Sequence, residues 1–132
     1  MKKILLLTLT VLMISNVASA CKGISFQGAS GKNYCLSKHT MNWYSAYAWC
    51  NDQQMQLVDS TKLCGTIELS SCSEFKLTQE QKDAITSAGG QIAFGWTNVS
   101  YADCCPVAIN LGQGQIGFGN HQRYHSMLAL CQ

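Results

Sequence analysis

The sequence predicts an α+β domain held together by disulfides, and three observations carry that prediction. Eight cysteines, at positions 21, 35, 50, 64, 72, 104, 105 and 131, follow a leader-like N-terminus. Trp43, Ala46, Tyr47 and Cys50 fall at i, i+3, i+4 and i+7, the spacing of one helical face. From Gln91 onward the apolar residues come in short blocks with strand periodicity. The implied order is a hairpin, two helices and then several strands in antiparallel sheets.

The N-terminus sets the compartment. Lys2 and Lys3 precede an apolar run from Ile4 to Ile14, and Val17-Ala18-Ser19-Ala20 follows. These are the charged, apolar and small-residue regions of a secretory signal peptide. The run is short for a bilayer span and no second one follows, so no membrane insertion is expected. Residues 1–20 are read as the signal peptide, and residues 21–132 as a single secreted, periplasmic or cell-surface domain. Taking 20 from 132 leaves 112 residues, the size of one domain.

Charge narrows the partners. Of the 9 Lys and Arg residues, Lys2 and Lys3 fall in the leader, which leaves 7 against 7 Asp and Glu. A neutral chain without a basic cluster argues against nucleic acid and against electrostatic membrane binding. Cys21 directly follows the expected cleavage site, where a lipid-carrying cysteine would sit. Ala18 stands where lipoprotein signals usually have Leu, and lipidation would leave seven cysteines in an oxidising compartment. A lipid anchor at Cys21 is therefore disfavoured, and the cysteines read as a disulfide framework.

The elements follow in order. Ile24 and Phe26 alternate with polar residues, Gly28-Ala29-Ser30-Gly31 breaks the run, and Asn33-Tyr34-Cys35-Leu36 resumes it, a hairpin that Cys21 and Cys35 bracket. The first helix is expected to start at Thr40 as N-cap, with Trp43, Ala46, Tyr47 and Cys50 facing the core. Tyr44 and Trp49 then lie on opposite flanks, as candidates for an exposed aromatic platform. Met55, Leu57 and Val58 lead into a long loop, Asp59 to Phe75, that carries Cys64 and Cys72. Thr78-Gln79-Glu80-Gln81 fits a capping box, Ala84, Ile85 and Ala88 give the second helix its apolar face, and Gly89-Gly90 ends it. Strands are expected at 91–96, 107–111 and 115–118, with a Gly112-Gln113-Gly114 turn, and the apolar closing strand Met127-Leu128-Ala129-Leu130-Cys131 comes last.

This order resembles the C-type lectin-like family. Its helix pattern Trp-x-x-Ala-x-x-x-Cys is met by Trp43, Ala46 and Cys50; its Leu-Val strand by Leu57-Val58; its aromatic-Gly strand by Phe94-Gly95-Trp96; and its closing cysteine by Cys131. The likeness spans nearly all of residues 21–132, as a compact, divergent member of bacterial type. It implies a Cys50–Cys131 bridge from the first helix to the last strand, and a Cys21–Cys35 bridge across the hairpin. Cys64, Cys72, Cys104 and Cys105 are left with alternatives: a Cys64–Cys72 loop with a vicinal Cys104–Cys105 bridge, or two bridges joining the pairs.

The departures concern metal. Calcium-dependent members use a Glu-Pro-Asn or Gln-Pro-Asp loop and a Trp-Asn-Asp strand. The single proline here is Pro106, Trp96-Thr97-Asn98 is followed by Val99, and no acidic residue occurs after Asp103. Calcium needs several oxygen ligands, usually with carboxylates among them, so no calcium and no other cofactor is expected.

Catalytic chemistry has little to build on. His121 and His125 are four apart but not in a helical stretch, and no His-Glu-x-x-His occurs; His39 reads as a loop residue. Glu80 and Asp83 belong to the first turns of a helix, and Asp59, Glu68 and Glu74 read as solvated loop residues. There is no Gly-x-Ser-x-Gly elbow, and every cysteine has a disulfide partner available. The chain is not expected to be an enzyme. The candidate binding surface is the loop region after Trp96, with Asn98, Ser100, Tyr101, Asn120, His121, Arg123 and Tyr124, to which Tyr44 and Trp49 are added. The expectation is an exported, calcium-independent binding module for a glycan or an extracellular protein. The alternatives are an assembly component of a cell-envelope or surface appendage, and a secreted enzyme inhibitor.

Overall fold

The computed structural model describes residues 21–65, 72–101, 105–117 and 123–132; the expected signal peptide, residues 1–20, lies outside the described residues. The chain is α+β. One mixed sheet has the order β1-β2-β6-β3-β4-β5, from β1 (Ile24–Gln27), β2 (Asn33–Met41), β3 (Phe94–Tyr101), β4 (Cys105–Asn110), β5 (Gln115–Gly117) and β6 (Met127–Cys131). The sheet is not wholly antiparallel as expected. The closing strand β6 inserts between β2 and β3, antiparallel to the first and parallel to the second.

That central position explains the sequence of β6. Leu128 and Leu130 point into one apolar cluster, with Leu36, Phe75, Ile85 and Ile109. Met127, Ala129 and Cys131 point into the other, with Cys35, Ala46, Cys50, Leu57 and Trp96. Side chains alternate across a strand, so one covered on both faces has no place for a polar residue. The same alternation runs through Tyr34, Cys35 and Leu36 of β2 and Val107, Ala108 and Ile109 of β4.

Helix α1 (Trp43–Asn51) covers the second cluster, and its Cys50 is bridged to Cys131. It starts later than Thr40, because Thr40 and Met41 still pair with Leu128 and Met127 of β6. Asn42 is the N-cap instead, its side chain accepting the Ser45 N–H at 2.8 Å. His39 is likewise an exposed residue of β2 rather than of a loop. Between Leu36 and Thr40 the register of β2 shifts, and the buried Ser37 hydroxyl fills the gap: it accepts the Ala129 N–H at 2.8 Å and donates to the His39 carbonyl at 2.8 Å.

A third helix, α2 (Ser60–Cys64), lies inside the segment read as loop. Asp59 caps it by accepting the Lys62 N–H, and Gly65, at φ 79°, ends it. Its Cys64 pairs with Cys72, which rules out the two bridges between cysteine pairs. Cys21 pairs with Cys35 across the β1–β2 hairpin. Cys105 is also disulfide-bonded, while Cys104 lies outside the described residues.

Helix α3 (Gln79–Ser87) carries the expected capping box, and Gly89, at φ 93°, follows its end. Its apolar face is narrower than expected: Ile85 is buried, but Ala84 and Ala88 are exposed. With one buried anchor, α3 depends strongly on its cap. Thr78→Ala is expected to lower stability by about 1 kcal/mol, read as a lower urea midpoint with an unchanged slope.

Residues 72–76 connect the two ends of the sheet. A 3₁₀ turn, Ser73–Phe75, lies between the β1–β2 turn and the β4–β5 turn. The Cys72 N–H donates to the Gly114 carbonyl, Gly112 N–H donates to the Phe75 carbonyl at 3.1 Å, and Ala29 N–H donates to the Glu74 carbonyl at 2.9 Å. Glu74 is not solvated. Its carboxylate is buried and accepts from the Ser30 N–H at 2.8 Å, the Ser30 hydroxyl at 2.6 Å and the Tyr34 phenol at 2.5 Å. Burial acts to raise its pKa, but these donors and the Lys32 charge outweigh it and hold the carboxyl below its usual range. Burial, together with the carboxylate it faces, pushes the Tyr34 phenol up.

Candidate functional site

The largest exposed apolar side chains described are Tyr44, Tyr47 and Tyr124, at 54, 43 and 78 %. Two of them flank Trp43 at the start of α1. Trp43 is half-buried and tied on three sides. Its indole N–H donates to the Thr97 carbonyl at 3.0 Å, its backbone N–H donates to the Arg123 carbonyl at 3.0 Å, and the Arg123 guanidinium carbon lies 5.4 Å from its ring centroid. The Arg123 Nη2 also donates to the Ser100 hydroxyl at 3.2 Å. Tyr44 meets Trp43 edge-on, with centroids 5.5 Å apart, and Tyr47 lies at 5.4 Å with a tilt of 35°. The result is an aromatic cluster on the outer face of α1, rimmed by β3 and by the turn before β6.

The strand supplies the rim because its register gives way there. Between Trp96 and Ser100 the pairing of β3 with β4 shifts, and the Thr97 carbonyl in that stretch receives the Trp43 indole. Trp96 itself is fully buried, and its indole N–H donates to the Met41 carbonyl at 2.9 Å. Two tryptophans thus fix the junction of β2 and α1 against β3, one from inside and one from the rim.

The candidates named from sequence divide. Ser100, Arg123 and Tyr44 come together with Trp43. Asn98 and Ser100 lie on strand β3 rather than in a loop, both exposed; the Asn98 backbone N–H donates to the Val58 carbonyl at 2.8 Å. Tyr101 ends β3, and its side chain, like Asn120 and His121, lies outside the described residues. Tyr124 is the most exposed of the three tyrosines.

Trp49 and Tyr47 exchange the places expected of them. Trp49 is half-buried against the second cluster, at closest approach to Gly23, where an added Cβ would sit 3.0 Å from its Cη2. Tyr47 was expected to face the core and is exposed. At 100° per residue the two lie about 80° to either side of the line between Ala46 and Cys50. The helix alone cannot choose between them; the N-terminal segment bridged by Cys21–Cys35 covers the Trp49 side.

The site is aromatic and hydroxylic. It offers flat apolar ring faces with phenolic donors beside them, and one cation already stacked on an indole. Among the described residues, no three or more His, Cys, Asp or Glu are grouped to hold a metal ion, and no helix is long and apolar enough to cross a membrane. No protein-family model matches the chain, and a search of curated proteins returns no significant match.

Proposed function

We propose that this chain is an exported, calcium-independent binding module on a C-type lectin-like frame, which recognises a glycan or an extracellular protein through the Trp43–Tyr44–Tyr47 face. The frame is supported by the Cys50–Cys131 bridge from α1 to the last strand, by the Cys21–Cys35 bridge across the hairpin, and by β6 lying beside β2. The exposed aromatic cluster carries the functional reading, because Tyr44, Trp43 and Tyr47 form a contiguous patch, and such patches mark interaction sites where single exposed rings do not.

Tyrosine and tryptophan suit such a surface physically. Each supplies a large contact area with few rotatable bonds and a polar group at its edge, so little entropy is lost on binding. Tyr44 and Tyr47 are the rings open to a partner, while Trp43 and Arg123 hold them in place.

Screening the oxidised domain against immobilised glycans and against native extracellular protein, with and without chelator, tests this. Binding that survives chelator and falls at least about tenfold in the Tyr44→Ala, Tyr47→Ala double variant is expected, since a pair of central aromatic anchors is worth more than about 1.4 kcal/mol. Chelator-sensitive binding would overturn the metal-free reading, and an unaffected double variant would remove the site.

A further inference from the structure

The buried carboxylate of Glu74 has no part in the aromatic face; beside the Phe75 ring, which packs on Tyr34 and Phe26, it ties residues 72–76 to the β1–β2 hairpin. Residues 72–76 are a strap. At one end the Cys72 N–H and Phe75 carbonyl are bonded to Gly114 and Gly112 of the β4–β5 turn. At the other, Glu74 is bonded through its carbonyl to Ala29 and through its carboxylate to Ser30 and Tyr34 of the β1–β2 hairpin. β1 and β5 are the opposite edges of the sheet. Two glycines make the approach possible: a Cβ at Gly28 would come 2.6 Å from the Glu74 Oε2, and one at Gly114, at φ 69°, would overlap the Cys72 carbonyl.

The two ends differ in kind. The β4–β5 end is hydrogen-bonded through backbone groups, which do not titrate; the hairpin end adds a carboxylate to its own backbone bond from Ala29 and to the Phe75 ring contacts. At the hairpin end, the Ser30 and Tyr34 hydroxyls both donate to Oε2 and the Ser30 N–H to Oε1. A proton on that carboxyl removes the charge that strengthens all three bonds it accepts, and the Ser30 N–H cannot turn away. Lys32 on the hairpin turn is the cation whose charge favours the charged form, and among the described residues Tyr34 is the titratable group hydrogen-bonded to it. The β4–β5 turn brings glycines to the strap, and Lys82 of α3 lies against Gly112. On the strap itself the neighbouring cation is Lys76.

We infer that the 72–76 strap is an acid-released latch: protonation of Glu74 frees the β1–β2 turn while the disulfide-anchored centre of the sheet stays folded. The direction follows from the lowered folded-state pKa of Glu74. Its contribution is complete above the unfolded carboxyl value near about pH 4.3 and is lost as pH falls through the lower folded value. Local opening of this kind is allowed because different parts of a fold open with different free energies. Cys50–Cys131 ties the centre, and Cys64–Cys72 keeps the strap attached to α2 after release.

A ¹H–¹⁵N titration of the full oxidised domain from pH 7 to pH 2, with amide exchange rates corrected for intrinsic pH dependence, tests this. The Ala29 and Ser30 amides and the Tyr34 ring are expected to shift with one shared midpoint below pH 4.3, with a loss of protection of at least about tenfold at residues 28–34 and none at β6. Glu74→Gln is expected to lack both the midpoint and the protection at neutral pH. Tyr34→Phe, which retains the ring, is expected to keep the titration with its midpoint moved up. Loss of protection at β6 at the same pH as at residues 28–34 would overturn the latch. So would an Ser30 amide that keeps its protection after Glu74 has been protonated.

Discussion

Replacing Cys50 and Cys131 together by alanine is expected to lower the stability of the oxidised domain by about 4–5 kcal/mol, the largest effect among the three bridges described. The two residues are 81 apart in sequence and both fully buried. Their bond removes the freedom of most of the unfolded chain. In the folded state alanine fills much of the same space, so the loss is mainly one of unfolded-chain restriction. For a domain of this size the melting temperature should fall by roughly 15–20 °C. Cys64 and Cys72 are 8 apart, and removing that bridge should cost only about 2–3 kcal/mol. Differential scanning calorimetry of the two pairs side by side checks the ranking. Equal losses would mean that loop length does not control their contribution.

Trp96→Ala is expected to cost a further class of energy, about 3–5 kcal/mol from the lost ring and its cavity alone. Trp96 is the largest fully buried side chain described, and it packs with Ala46, Cys50, Leu57 and Ala129 in the cluster beneath α1. Its indole N–H also satisfies the Met41 carbonyl just before the helix N-cap. Trp96→Phe separates the two contributions: it keeps an aromatic ring and orphans that carbonyl, at about 1–3 kcal/mol. Urea unfolding of both variants gives the comparison. Typical domains have only about 5–15 kcal/mol in total, so Trp96→Ala should leave a substantial unfolded population. A Trp96→Phe loss as large as that of Trp96→Ala would assign the whole effect to the hydrogen bond.

Much of the architecture was legible where a local rule has one outcome. Thr78 with Gln81 marks a helix start because both side chains must sit at fixed offsets from the backbone N–H groups they satisfy. Gly112 and Gly114 mark a turn because both adopt positive φ. Residues 127–131 read as a buried strand because all five are apolar. Which strands flank it was not legible, since pairing partners are chosen by tertiary packing. The aromatic site was half visible. Tyr44 lies so far from the buried stripe of α1 that it must be outside, whereas Tyr47 and Trp49 lie equally far from its centre and are sorted by the Cys21–Cys35 segment. Glu74 was missed for a related reason: its acceptors are met by Ser30 and Tyr34, some forty residues earlier, and no short-range pattern announces that.

The position of β6 also sets the order in which the fold can be made. β6 separates β2 from β3 in the sheet, yet it follows both in the chain. Before residues 127–131 are available, the backbone groups of β2 and β3 that face it have no partners. The sheet therefore exists as two open pieces, β1–β2 and β3–β4–β5, each with an unpaired edge. Pairings across such long stretches of chain form slowly, because closure entropy is lost before contacts compensate it. Unpaired edges are also the surfaces through which chains associate wrongly. A chain made from its N-terminus thus carries two sticky half-sheets until its closing strand arrives, and a single late insertion completes both.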